Sequence, residues 1–151
     1  ADVMALYSEG NSLWIGTFNG GLNRLDTSSN ETVVYQHSPT NKNSLGASGV
    51  TSILRTTQGN LLVGTFGGGL SLYRDKTDDF LNLRNIPGDH SSLSDNRVIA
   101  IFEDSLGLVW VGTEKGLNRF DESTNTCESF FFDSRNDDSL SRDLVGAFYD
   151  G

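Results

Sequence analysis

Val98 to Asp121 reads VIAIFEDSLGLVWVGTEKGLNRFD, and two altered copies of it lie upstream. Val50 to Arg74 reads VTSILRTTQGNLLVGTFGGGLSLYR, and Val3 to Asp26 reads VMALYSEGNSLWIGTFNGGLNRLD. A fourth copy begins at Val145 and is cut at Asp150-Gly151, which points to a piece of a longer protein. Gly16, Gly64 and Gly112 follow one another at 48 residues, and Pro39 and Pro87 keep the same spacing. Ser44-Leu45, Ser92-Leu93 and Ser139-Leu140 recur at 48 and 47. A repeat of this length falls among four-stranded propeller blades.

Each unit divides into four short apolar segments separated by turn residues. In the third unit they are Val98–Glu103, Leu108–Thr113, Leu117–Asp121 and Cys127–Phe132. Segments of about 5–6 residues suit strands and are too short for globular helices. Aromatic and β-branched residues fill them. Leu13-Trp14-Ile15 and Val109-Trp110-Val111 are apolar throughout, so each such strand needs cover on both faces. Stacked blades supply that cover. The expected fold is therefore all-β: three four-stranded antiparallel propeller blades at residues 1–49, 50–97 and 98–144. The first strand of a fourth blade follows at 145–151.

A meander puts the turns between the second and third strands on one side, together with the crossings from one blade to the next. That side carries Phe18-Asn19-Gly20, Phe66-Gly67-Gly68 and Glu114-Lys115 from the turns, and 46–49, 94–97 and 141–144 from the crossings. If a ligand binds, Phe18, Asn19, Phe66, Lys115, Asn96 and Arg97 are the candidates to meet it. The turn position leaves open whether the two phenylalanine rings are exposed. Trp14 and Trp110 sit in the most apolar strand of their units and read as inter-blade core.

Composition narrows the function. The chain has 151 residues, enough for about one domain, and a net charge of −9. An acidic chain without a basic run is repelled by phosphate backbones, so nucleic acid is not an expected partner. No apolar run approaches the ~18 residues of a membrane helix, so this segment is not expected to insert directly. Cys127 is the single cysteine, and no intrachain disulfide is possible.

Other motifs yield to plainer readings. Gly64-Thr-Phe-Gly-Gly-Gly-Leu70 lacks the Gly-Lys-Ser/Thr and the following helix of a phosphate loop, and reads as a hairpin. Asp104-Ser-Leu-Gly107 resembles the Asp-box of sialidases with one residue too many, and reads as a turn. His37 and His90 are not equivalent and have no cysteine nearby, so neither a metal nor a cofactor is expected. Asp137-Asp138 reads as a solvated turn.

The repeat itself resembles the two-component regulator propeller repeat. Trp110–Thr113, Gly116–Asp121 and Asp138–Ser141 carry the likeness in the third unit, and Trp14–Thr17, Gly21–Asp26 and Ser44-Leu45 in the first. The middle unit departs, with Leu62 for Trp and Arg74 for Asp. The resemblance implies a seven-bladed extracytoplasmic, periplasmic sensor propeller. Such propellers precede a membrane helix and a histidine kinase or diguanylate cyclase, and many in gut bacteria recognise oligosaccharides. It implies a non-catalytic module with a small-molecule or oligosaccharide ligand. A propeller hydrolase or lyase would be expected to carry a charged insertion in one unit, whereas insertions here are one residue long. A structural role is the third alternative: three blades cannot close a ring, so self-association or the remaining blades of a parent would complete it.

Overall fold

The computed structural model describes residues 2–131. Among these residues twelve strands form three four-stranded antiparallel sheets. The first sheet holds β1 (Val3–Glu9), β2 (Ser12–Thr17), β3 (Leu22–Asp26) and β4 (Thr32–Tyr35). The second holds β5 (Val50–Arg55), β6 (Leu61–Thr65), β7 (Gly69–Arg74) and β8 (Asp79–Leu83). The third holds β9 (Val98–Glu103), β10 (Val109–Thr113), β11 (Gly116–Asp121) and β12 (Thr126–Phe130). Each is a simple meander, so the expected blades are present. The strand expected at Val145, the crossing at 141–144 and Asp137-Asp138 lie outside the described residues.

Boundaries move by one or two residues. The third strand of unit three starts at Gly116 rather than Leu117, and the fourth spans Thr126–Phe130. The turn glycine Gly107 has φ +82°, in the left-handed region that a side chain rarely enters. Before it, Asp104 accepts the Leu106 and Leu108 amides at 2.9 and 3.0 Å and the Trp110 indole N–H at 2.9 Å. Those donors hold its carboxyl below the ordinary range, the indole foremost.

Blades stack through their first strands: β5 packs on β1, and β9 on β5. Period-two alternation sends successive side chains to opposite neighbours. Leu61 and Val63 face the first blade, and Leu62 between them faces the third. All of β6 is therefore buried, as the continuous apolar run requires. Trp14, 1% exposed, anchors the first interface with Tyr35, Tyr73 and Phe80. Trp110, flanked by two residues that face the second blade, points the other way and packs on Phe130 of its own sheet.

Polar latches tie the blades along the rim opposite the crossings. Asp78 accepts the hydroxyls of Tyr35 and Tyr73, joining the first two blades. Glu122 accepts from Thr56 and Asn60, and Glu103 from Thr57, joining the second and third. Glu9 accepts Arg55 Nε at 3.1 Å. The Arg55 hydrogen bonds hold the Glu9 carboxyl below its ordinary value of 4.5. A depressed carboxyl stabilises the fold above its unfolded value, and that contribution is lost as pH falls through the folded one. Glu9→Gln is thus expected to flatten the loss of stability below about pH 4.5, read as urea midpoints of variant and wild type across pH. Parallel pH curves for the two would contradict it.

Candidate functional site

The turns between second and third strands share one face with the blade crossings. A repeated threonine builds each turn. Thr17, Thr65 and Thr113 donate through Oγ1 to the carbonyls of Gly21, Gly69 and Gly116 at 3.0, 2.8 and 3.1 Å. The Thr17 amide donates to the same Gly21 carbonyl at 3.1 Å, so hydroxyl and backbone close that turn together.

The turns then pin the crossings. Phe18 N donates to Asp2 O, Phe66 N to Gly49 O and Glu114 N to Arg97 O, at 3.0, 2.8 and 3.1 Å. The Gly67 and Gly69 amides both reach Asn96 O, at 3.0 and 2.8 Å. Gly46 and Gly68 meet backbone to backbone, and a Cβ on Gly68 would sit inside the Gly46 carbonyl. Here glycine is required for close approach.

The face that results has a definite order. Phe18 and Phe66 are 56% and 40% exposed, and Gly49 lies between them, near the Phe18 carbonyl and the Phe66 Cβ. Phe66 pairs with Arg97 in an isolated bridge. Arg97 leads on to Glu114 at 2.8 Å, the neighbour of Lys115 in the next turn. The six residues named from the sequence thus sit in turns and crossings that contact one another in series, and their side chains are not alike. Asn96 Oδ1 accepts the Asn85 amide at 2.7 Å. Arg97 is held by Asp95 at 2.9 Å as well as by Glu114. Asn19 and Lys115 are exposed, and their side chains make no hydrogen bond among the described residues.

Sequence reasoning passed over Asn118. It is fully buried and makes four side-chain bonds. Its Oδ1 accepts the Ser94 amide and the Ser129 hydroxyl at 3.0 and 2.9 Å. Its Nδ2 donates to Ser94 Oγ and Val111 O at 2.8 and 3.1 Å. Asn118 is the clamp that holds the crossing at 94–97 against its blade. In the second blade Ser71 and Asn82 share that task, Ser71 Oγ accepting the Gly46 amide at 3.1 Å. Leu45 and Leu93, from the repeated Ser-Leu pair, plug the interfaces beside them.

Among the described residues no three His, Cys, Asp or Glu side chains converge to hold a metal ion. Burial pushes the Cys127 thiol up to about 11, which leaves it protonated and unreactive at neutral pH. His37 Nδ1 is bonded to Leu45 O at 2.8 Å, a structural role.

Similar proteins agree with this architecture. The extracellular domain of a hybrid two component system from B. thetaiotaomicron superposes with a TM-score of 0.70 at 23% identity, covering 93% of this chain and 24% of that one. The extracellular domain of a one component system from B. thetaiotaomicron gives 0.71 at 30% identity, covering 87% of this chain and 17% of that one. Virginiamycin B lyase from Staphylococcus aureus gives 0.61 at 12% identity, covering 87% of this chain and 41% of that one, a likeness of fold alone. The chain thus spans a quarter or less of the two extracellular domains. No curated protein matches the chain by sequence. Residues 92–115 match the family model described as two component regulator propeller. The stretch that joins the second blade to the third is thus similar to the two-component regulator propeller repeat.

Proposed function

We propose that the chain is a non-catalytic, ligand-sensing part of a propeller from a bacterial two-component membrane receptor, working on the extracytoplasmic, periplasmic side. The observation that carries this is the 30% identity, over 87% of the chain, to the extracellular domain of a one component system, joined to the repeat match at 92–115. The ligand face is the row of turns and crossings. Phe18 and Phe66 offer apolar platforms on which a sugar ring stacks, and Asn19 and Lys115 offer exposed polar groups to orient it. Asn96 and Arg97 act from behind by holding the Phe66 turn in place. The ligand class is a neutral small molecule or oligosaccharide. Phe66→Ala is expected to weaken binding of the best ligand from a panel of neutral tetrasaccharides by about tenfold, the worth of one aromatic contact. Unchanged affinity in calorimetry would sink the assignment of this face.

The first blade also presents apolar side chains on its outer face. Leu6 is 62% exposed, and its repeat counterpart Ile53 is packed into an interface. Leu13 and Ile15 match Leu61 and Val63, which are buried against the preceding blade. This face is read as the seat of a further propeller blade, supplied by the parent protein or by a second copy. In the isolated chain that predicts self-association at about 0.1 mM, abolished by Leu6→Asp, in light scattering. A monomeric wild type would contradict it. A face this apolar is the kind that marks an interaction site.

A further inference from the structure

A cleft lies beneath the loop that leads into the first crossing. The loop ties itself into a compact ring. Ser38 N donates to Ser44 Oγ at 2.8 Å, and Asn43 N to Asn41 Oδ1 at 3.0 Å. Asn41 N and Ser44 N reach the Ser38 and Asn41 carbonyls, each at 3.1 Å. The ring is then fastened to the outer strand of the second blade by Phe80 N on Asn43 O at 2.9 Å. The next repeat builds the same ring: Ile86 N on Ser92 Oγ, Ser91 N on Asp89 Oδ1, and Cys127 N on Ser91 O. Each ring roofs a cleft, of about 550 Å³ in the first repeat and about 530 Å³ in the second.

The two clefts share a scaffold and differ in charge. Asp89 and Glu128 line the second. Lys42, Arg74 and Arg84 line the first, with no Asp or Glu in its wall. Asp79 engages Arg74 at 2.8 Å. Among the described residues Arg84 gives one hydrogen bond, to Gly46 O at 3.0 Å, which fixes its head. Lys42 is exposed and has no ion pair among the described residues. Two uncompensated cations in one wall of a chain with net charge −9 form a local attraction for negative charge.

We propose that the cleft beneath the loop at 38–44 binds an anionic group, a carboxylate or sulfate, with Lys42 and Arg84 as its donors. Leu81, 38% exposed, supplies an apolar contact for the body of a ligand that carries the anion. Ionised partners roughly double the strength of a hydrogen bond, and the closed ring means that little order remains to be gained on binding.

The test is calorimetry on the whole 151-residue chain with D-glucuronate and inorganic sulfate as probes and D-glucose as the neutral control. Glucuronate is expected to bind, Lys42→Ala to weaken it about tenfold, and Lys42→Glu to abolish it. Rising salt should weaken it, since the cleft is open to solvent. Glucuronate tighter than sulfate identifies an acidic sugar as the ligand source, and equal affinity identifies a free inorganic anion. Wild type and Lys42→Glu binding glucuronate equally, or glucose binding as well as glucuronate, overturns the proposal. Because Lys42 lies on an exposed loop, circular dichroism should find the variants folded. Phe66→Ala should leave glucuronate affinity unchanged, so this site stands or falls apart from the face of turns.

Discussion

Trp14→Ala is expected to cost the chain about 3–5 kcal/mol, the range for deleting a large aromatic from a core. Trp14 is the centre of the interface between the first two blades. Its ring stacks with Tyr35 at 6.1 Å, meets Tyr73 edge-on at 5.2 Å, and carries the Arg24 guanidinium 4.9 Å above it. Alanine would leave Tyr35 and Tyr73 facing a void and Arg24 without its platform. In a stack where each unit touches only its neighbours, stability is a sum of blade and interface terms. Losing this interface should therefore do more than lower the urea midpoint. It should uncouple the first blade, so that far-ultraviolet dichroism shows two transitions in place of one. Trp14→Phe keeps a ring in place and should lose much less. A loss under about 1 kcal/mol for alanine, with one sharp transition, would mean that the blades are not held together through Trp14.

Asn118→Ala is expected to cost about 2–4 kcal/mol. Removing one partner of a buried polar group costs about 1–3 kcal/mol, and here Ser94, Val111 and Ser129 all lose a partner. Networks of this kind fail by more than single bonds suggest. The effect should be localised as well as large. The Ser94 amide loses its acceptor, so its hydrogen exchange should accelerate far more than that of the β10 amides. Equal acceleration throughout the third blade would reduce Asn118 to ordinary packing. Asn118→Asp keeps the acceptor for Ser94 N but replaces the donor to Val111 O with a buried charge. It should therefore be no better than alanine.

These two residues mark how far the sequence could be read. Trp14 was legible because spacing and composition agree. An apolar triplet repeated at Leu13–Ile15 and Val109–Val111 demands cover on both sides, and only stacked sheets provide it. The strands, turns and blade order follow from the same periodicity. Asn118 was not legible, because an asparagine alternating with apolar residues looks like any solvated strand position. Its burial comes from a crossing more than twenty residues upstream that folds back over it. The available signal was covariation inside the repeat: where Asn118 is replaced by Ser71, Asn82 appears on the next strand to restore the amide.

The candidate face was legible as topology and less so as chemistry. A meander must put Phe18, Phe66 and Lys115 on the side of the crossings. Nothing in local sequence reveals that Asn96 spends its side chain on Asn85, or that Arg97 is held between Asp95 and Glu114. Those pairings depend on where the next turn lands. The clefts beneath the two loops escaped notice for the same reason, since each needs an outer strand beneath a loop that precedes it by about forty residues.

The row of turns and crossings is proposed above as the ligand face. Amide NMR of the chain, titrated with neutral tetrasaccharides (cellotetraose, xylotetraose and galactotetraose), tests this most directly. Shifts are expected to gather at Phe18, Asn19, Phe66, Gly67 and Lys115, with the saccharide recovered intact. Shifts confined to the opposite rim around Glu9, Asp78 and Glu122, or cleavage of the saccharide, would contradict it.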